Sequence, residues 1–579
     1  MDFKNAIKLK DSNEKIEIEN HFKLFAGPGA GKTTFLINHI NNIIESSDKI
    51  SDLRKIACIT YTNIGVKTIT DRLEASNEFT EVATIHSFLY KNVIKPYLWV
   101  LEDDYDIDVS QVNGHDNIIP TYTILKEWKI QTQQFVLNDD TELKIALPKL
   151  RWKLDSSNEL RDVDNFVLGF NKPWHGKVGK YNIRKNSYLD YKKICWSKGL
   201  LSHDDVLYFS YKIIQKEPRI QEIIRGKFPY IIIDEFQDTN PIQTKFLQKI
   251  AEKETVIGVI GDVSQSIYHF QDAKPEQFYS FILKNMRIYY IEDNHRSTDK
   301  IINVLNHMRS DDNEIFKQKS PKNKFGEKPI IFVGNAVLAY EKIKQELDKE
   351  ELYALSYANE DINYIEHGSE DYVTLESTAS VLFGDDARGE RIFYIVHAVE
   401  CGRANLFKDA LKYMKKAFRR RNNFSDKEAI ENLKRYLDRY NKFSNSSIKD
   451  FYNEYIHFYH DDLSRITSGK KKENYEKLKY SNVSILVNVE NKNTNFRTIH
   501  GAKGDEFNNV LVIIDSNEKN SDSYLDFLLK PNMKLEEHRV YYVALSRAKK
   551  DLFITVSNMS DSIRNELENV LKLFKIEDV

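Results

Sequence analysis

The sequence predicts an α/β chain made of two parallel-sheet units, each interrupted by an inserted segment, the second of them helix-rich. Three observations carry this expectation. Short β-branched runs alternate with longer amphipathic stretches, a glycine-rich string stands between the first such run and a helical one, and the alternation breaks off twice. At 579 residues the chain has room for three or four structural units.

In chain order, HFKLFA (21–26), KIACIT (55–60), FPYIIID (228–234), TVIGVIG (255–261) and RIYYI (287–291) read as buried strands. A strand covered on both faces is apolar without alternation, which is the parallel-sheet pattern. Residues 90–190 break the rhythm: WVLEDDYDIDVSQVNGHD reads as turns ahead of a tryptophan-bearing, lysine-rich stretch, an inserted domain. KPIIFVG (328–334), LYALSY (352–357), NVLVIID (509–515) and DLFITV (551–556) form a second strand set around a helix-rich span, 371–489. Within that span LFKDALKYMKKAFRRR and KEAIENLKRYLDRYNKF have apolar residues at helical spacing, with charges opposite.

Composition narrows the function classes. No run of about 18 apolar residues is present, and the charged N-terminus has no apolar h-region, so the expectation is a soluble cytoplasmic protein with no membrane partner. Cys58, Cys195 and Cys401 are far apart and lack C-x-x-C spacing, which points to structural thiols rather than disulfides or zinc. With 85 Lys+Arg against 87 Asp+Glu the net charge is −2. Any hold on nucleic acid must therefore come from local basic and aromatic surfaces.

AGPGAGKTT, from Ala26 through Gly27, Pro28, Gly29, Ala30, Gly31, Lys32 and Thr33 to Thr34, follows a strand and precedes FLINHINNII. In that setting the loop's backbone N–H groups face a phosphate at a helix N-terminus. Lys32 would reach the β/γ-phosphates and Thr33 would hold Mg²⁺, which makes ATP and Mg²⁺ the expected cofactors. IIIDEFQDTNPIQ (231–243) ends a strand in paired carboxylates, placing Asp234 on the metal and Glu235 beside the attacking water.

The wording of these strings resembles the UvrD/Rep/PcrA-like helicases of superfamily 1A. DEFQDTNPIQ is followed by GDVSQSIYHFQDA (261–273), DNHRST (293–298), TIHGAKGDEF (498–507) and HRVYYVALSRAKKDLFIT (538–555), in the family's order. YTNIGVKTITDRL (61–73) and TIHSF (84–88) resemble its early DNA-contacting motifs. The resemblance implies two RecA-like domains with ATP between them: domain 1A over 1–89 and 191–300, domain 2A over 301–370 and 490–579. Mainly helical accessory domains 1B (90–190) and 2B (371–489) would be inserted in them. It implies that Gln265 senses the γ-phosphate, that Arg296 and Arg547 act as arginine fingers, and that Glu506 contacts the ribose. It places Tyr61, Tyr268 and Phe270 as base-stacking candidates, with Thr62, Asn63 and His86 on the strand and His500 coupling DNA to the cleft.

Departures from the family pattern are equally visible. No glutamine precedes Gln111, so the adenine-reading glutamine is missing; Thr34 replaces an arginine, His295 a base-stacking tyrosine, and Gln271 an arginine. Base recognition would then be loose, or rebuilt from His295 and the N-terminal segment. The basic runs Lys415–Arg421 and Gly469–Lys472 are either a duplex-binding surface or solvated faces.

The resulting expectation is a 3′→5′ single-stranded DNA translocase and helicase acting on single-stranded or tailed duplex DNA. An ATP-gated DNA-sensing subunit that controls a partner is the alternative. The 31 residues after Ala548 are too few for a nuclease domain, so a nuclease would be a separate chain. The resemblance extends to the helicase subunits of Gabija-type anti-phage systems, which implies such a nuclease-bearing partner; repair or replication restart is the other setting.

Overall fold

The computed structural model describes residues 5–154, 166–171, 176–268, 274–310, 316–321, 324–357, 375–419, 424–487, 494–514 and 522–579. Seven strands form the first sheet: β1 (Ile7–Lys8), β2 (Phe22–Ala26), β3 (Ile56–Thr60), β4 (Thr80–Thr84), β5 (Tyr230–Ile233), β6 (Val256–Gly261) and β7 (Arg287–Ile291). Their order is β1-β7-β2-β6-β5-β3-β4 and every pairing is parallel. The five central strands carry the apolar runs and are covered by helices on both faces. The helix Lys32–Ser46 contributes Phe35, Leu36 and Ile40 to one core, and His203–Lys216 contributes Val206, Phe209 and Ile213 to the other. Asn240 starts the helix Pro241–Ile250 with a capping box, which sets how the chain leaves the end of β5.

Six strands form the second sheet: β8 (Ile330–Val333), β9 (Leu352–Ser356), β10 (Phe496–Thr498), β11 (Phe507–Ile513), β12 (Ala548–Val556) and β13 (Lys575–Asp578). Their order is β10-β9-β11-β12-β8-β13, again all parallel. The helix Asp299–Met308 buries Ile301, Val304 and Leu305 in this second core, together with Ile267 and Tyr268 from the first half of the chain. The two sheets are therefore joined through packed side chains as well as through the chain itself.

Between β4 and β5 a smaller core gathers around Trp128, Leu147 and Tyr191. It is built from the helices Tyr122–Thr132 and Tyr188–Trp196 and from the antiparallel pair Leu150–Leu154 and Phe166–Phe170. Leu98, Leu101 and Ile107 pack instead into the core of the first sheet. Between β9 and β10 the described helices, from Leu375–Phe383 to Tyr480–Val487, close on a core of their own around Ile395, Met414 and Tyr452. The two insertions touch where Asp116 meets Lys412, 2.7 Å away, and Lys416. Cys58, Cys195 and Cys401 are all buried free thiols. No helix among the described residues is long and apolar enough to cross a membrane.

Candidate active site

Parallel strands direct the loops at their C-terminal ends to one edge of the sheet, and ligands of open α/β sheets bind there. At that edge of the first sheet stand the loop after β2 (27–31), Tyr61 and Thr62 after β3, Asp234 and Glu235 after β5, Gln265 after β6, and His295 and Arg296 after β7. The second sheet meets this edge with the opposite ends of its strands: Glu506 lies just before β11 and Arg547 just before β12. Between them is a cleft with about 360 Å³ of room. It is lined by Gly27, Gly29, Gly31, Lys32, Thr33, Thr34, Asp234, Glu235, Gln265, His295, Arg296, Glu506 and Arg547, and also by Tyr61, Thr62 and Tyr268.

The loop is shaped for a phosphate. Gly29 (φ 70°) and Gly31 (φ 81°) are left-handed, and a Cβ on Gly29 would come within 2.3 Å of Asn294 Oδ1. Gly31 opens the helix Lys32–Ser46 with no side-chain cap, so its first-turn N–H groups face the loop. Lys32 Nζ donates to Ala26 O at 3.2 Å and Gly27 O at 3.4 Å. Ala26 and Ala30 are buried in the core beneath the loop, and Pro28 presents its carbonyl to Gln318.

Asp234 is held by its N–H on Ile59 O at 2.8 Å, and its carboxylate accepts the Glu235 N–H at 3.0 Å. Glu235 sits at φ 54°, a left-handed conformation that costs a non-glycine residue energy and recurs at functional sites. Burial and then the Glu235 charge push the Asp234 carboxyl up to about 7. Burial also pushes Glu235 upward, but Lys32, Lys503, Gln237 and Arg547 outweigh it and hold that carboxyl below its ordinary range. The donor set fits a nucleoside triphosphate with Mg²⁺. The Asp234 carboxyl and the Thr33 hydroxyl line the same cleft and offer the one or two hard ligands that Mg²⁺ takes from protein when phosphates and waters supply the rest.

Gln265 is buried, with Nε2 donating to Asp262 Oδ2 at 2.8 Å, while its Oε1 accepts from Arg547 Nη2 at 3.1 Å. Arg547 also donates to Val543 O, Asp505 O and Ser546 Oγ, and burial, followed by the nearby Arg296 charge, lowers its guanidinium to about 9. Arg296 pairs with Glu506 (3.2 Å) and donates to Ser546 O at 2.9 Å, so the two expected fingers and the expected ribose contact form one cluster. His295 donates its N–H to Gly29 O, and the Thr34 hydroxyl accepts from Arg72 Nη2 at 3.2 Å.

The expected DNA contacts are only partly presented. Tyr61 and Tyr268 stack on each other, ring centres 4.7 Å apart, and Lys503 Nζ lies 4.7 Å from the Tyr268 ring. Tyr268 is buried in the core of the second sheet with Tyr61 packed against it, so in this conformation the two rings cover each other and are not the open base platform expected, because two aromatic faces exclude more water against each other. His500 binds Ile267 O and receives the Tyr268 hydroxyl on its own carbonyl. Thr62 caps the helix Asn63–Leu73 through Gly65 N, and Asn63 is exposed. His86 packs edge-on against His203, which approaches His115 Nδ1 to Nδ1 at 2.7 Å. Phe270 and Gln271 lie outside the described residues. Among the described basic residues, Lys415 pairs with Asp426, Lys416 with Asp116, Arg419 with Glu390, Lys471 with Asp385 and Lys472 with Glu476.

Several site residues escaped the sequence reading. Lys503 joins Asp238 to Gln265 O across the cleft, and its only sequence signal is its place inside TIHGAKGDEF. Arg309 meets Asp262 at 3.4 Å, and Gln318 binds the phosphate loop; neither falls in a recognisable string.

Comparison with known proteins agrees with this geometry. Residues 10–286 match the UvrD/REP helicase N-terminal domain and 403–559 the UvrD-like helicase C-terminal domain. The ATP-dependent DNA helicase PcrA of Bacillus subtilis is 27% identical over 52% of this chain and 38% of its own length. Gabija protein GajB of Bacillus cereus is 27% identical over 49% and 46%, respectively. A probable DNA helicase II homolog of Mycoplasma capricolum is 24% identical over 69% and 53%. The matched stretch thus covers about half or less of these relatives.

Proposed function

The chain belongs to the UvrD/Rep helicase family, and we propose on that footing that it is an ATP-driven motor that translocates 3′→5′ on single-stranded DNA and opens tailed duplexes. The observation that carries the reading is the Gln265–Arg547 hydrogen bond, which brings a second-sheet arginine into the cleft lined by the first-sheet glycine-rich loop.

In this reading Lys32 exchanges its hold on Ala26 O and Gly27 O for phosphate oxygens. Thr33 and Asp234 would hold Mg²⁺, which when bound would neutralise phosphate charge. Glu235 takes the proton of the attacking water, and its depressed carboxyl keeps it ionised for that purpose. Arg296 and Arg547 present positive charge where negative charge accumulates in the transition state. Closure and reopening of the cleft would pass through Lys503 and the Tyr61–Tyr268 stack, which tie it to the motifs expected on DNA.

A second reading, an ATP-gated sensor that controls a partner, is favoured by the carboxylates that pair with Lys415, Lys416 and Lys471 in the 375–487 insertion, and a separate nuclease-bearing subunit in phage defence is a setting for it. Similarity to a Gabija protein supports that setting. The deciding experiment is strand displacement on 3′-tailed and 5′-tailed duplexes with ATP and Mg²⁺, run beside ATP hydrolysis. Displacement of the 3′-tailed duplex supports the motor; DNA-stimulated hydrolysis with neither displacement nor translocation supports the sensor.

A further inference from the structure

We infer that Gln318 is a positioning residue for ATP turnover, tying the phosphate loop to the turn that carries Arg296; this rests on the ATP-driven reading above. Gln318 lies in the described segment 316–321, far from every string that resembles a family motif, yet it is 4% exposed and its side chain reaches the loop. Its Nε2 donates to Pro28 O at 2.9 Å, and its Oε1 accepts from Asn294 Nδ2 at 3.1 Å. Asn294, fully buried, uses its Oδ1 to accept the N–H groups of Arg296 at 2.9 Å and Ser297 at 3.1 Å.

Backbone groups at both ends fix the orientation of these amides. Pro28 O can only accept, and the N–H groups of Arg296 and Ser297 can only donate, so each amide has one satisfiable orientation. Gln318 is itself held by reciprocal bonds with Asn306, its N–H on Oδ1 at 2.8 Å and its carbonyl receiving Nδ2 at 2.9 Å. Asn306 belongs to the helix Asp299–Met308, which is rooted in the second core. The relay therefore runs from that core through Gln318 to the loop, and branches through Asn294 to the Arg296 backbone. Gly27 lies against the same side chain: a Cβ there would stand 2.6 Å from Gln318 Nε2.

The consequence for chemistry separates the two branches. The bond to Pro28 shapes the loop whose N–H groups meet phosphate in ground and transition state alike, so its loss raises KM. The branch to Asn294 acts on Arg296, whose charge counts in the transition state.

The test compares wild type, Gln318→Glu and Gln318→Met by DNA-stimulated ATPase and ATP-analogue Kd between pH 6 and 8.5, with thermal melting as the folding control. An ionised glutamate opposes the Pro28 carbonyl, whereas a neutral carboxylic acid of the same shape donates to it as the amide does. Burial favours that neutral form. The charged side chains on the neighbouring elements, Lys317, Lys319, Asp293, His295 and Arg296, are present in wild type as well, which is run in parallel so that only the change at position 318 is read. The expectation is a KM and Kd raised about ten-fold for Gln318→Glu at pH 8.5, narrowing towards wild type near pH 6. Gln318→Met, which can do neither, stays raised throughout and still reads the loop contact if the glutamate variant fails to fold at high pH. Equal KM in all three proteins, or a loss confined to kcat and independent of pH in both variants, overturns the inference. Absence of ATP turnover and binding in wild type itself sinks the ATP-driven reading instead.

Discussion

Arg547 Nη2 lies 3.1 Å from Gln265 Oε1, although 282 positions of sequence separate them. The bond crosses the cleft between the two sheets, and in the proposed motor this guanidinium serves the transition state. Arg547→Ala should lower DNA-stimulated kcat by about 10³-fold or more while nucleotide Kd changes little. Arg547→Lys should recover little, because a point-charge ammonium lacks the planar fork that serves Gln265, Ser546 and Val543 together. Equal turnover of the three proteins would place Arg547 outside the chemistry.

Lys32 and Glu235 should fail in different ways. Lys32→Ala removes the cation poised on the loop carbonyls and should abolish both turnover and tight nucleotide binding. Glu235→Gln keeps the shape and the Gln237 neighbour but cannot take a proton, so binding should persist with kcat down about 10²–10⁴-fold. Hydrolysis by the Glu235 variant at the wild-type rate would assign the base elsewhere.

The buried pair of Arg309 and Asp262 supports Gln265 from behind, since Asp262 offers one oxygen to each. Breaking such a pair from one side leaves an uncompensated buried charge, typically about 3–5 kcal/mol. Arg309→Met and Asp262→Asn should each lower the melting midpoint, and the double variant, which is neutral and still offers Gln265 an amide oxygen, should recover most of the loss. Additive losses would show that the two side chains act independently.

Three imidazoles meet beside the insertions: burial lowers His86 to about 3 and His115 to about 4, with neighbouring positive charge adding to both, and lowers His203 as well. Asp116 opposes the shift of His115, while Lys412 deepens it. A histidine whose folded value lies below its free value of 6.5 takes up its proton more readily when unfolded. Stability is therefore complete above about pH 6.5 and is lost as pH falls towards 4. Melting midpoints at pH 7.5, 6 and 5 should decline, and His115→Gln should decline about 2–4 °C less over that range. Parallel declines would exclude His115 as a source.

The sequence was most legible where one string holds both the structural and the chemical signal. The strands β2, β3, β5, β6 and β7 are apolar because both faces are covered, and the acidic and glycine-rich strings sit directly at their ends. The edge strands β1 (IK), β4 (TEVAT), β10 (FRT) and β13 (KIED) carry no apolar run to mark them, because an edge strand needs backbone pairing more than an apolar run. At the site, the spacing of Tyr61 and Tyr268 says nothing of whether each ring will meet a base or the other ring. The lysines of the helix Phe407–Ala417 look like a phosphate-binding face until Asp116, 300 positions away from Lys416, is seen against them. Gln318 had no local signature, since its role is set by what tertiary packing brings to it.

The interleaved strand order of the second sheet also bears on how the protein is made. β9 pairs with β10 and β11, so Leu352–Ser356 emerges from the ribosome long before its partners at Phe496–Thr498 and Phe507–Ile513. At about 5–20 residues per second the wait is on the order of ten seconds or more. Through that interval an apolar strand stands unpaired while the helical insertion, which has its own core, can collapse beside it. The first sheet can close once β7 is synthesised, but the cleft waits for Arg547. A nascent chain would thus present the phosphate loop well before it could turn over nucleotide, and the exposed edge of β9 is where a chaperone would be needed most.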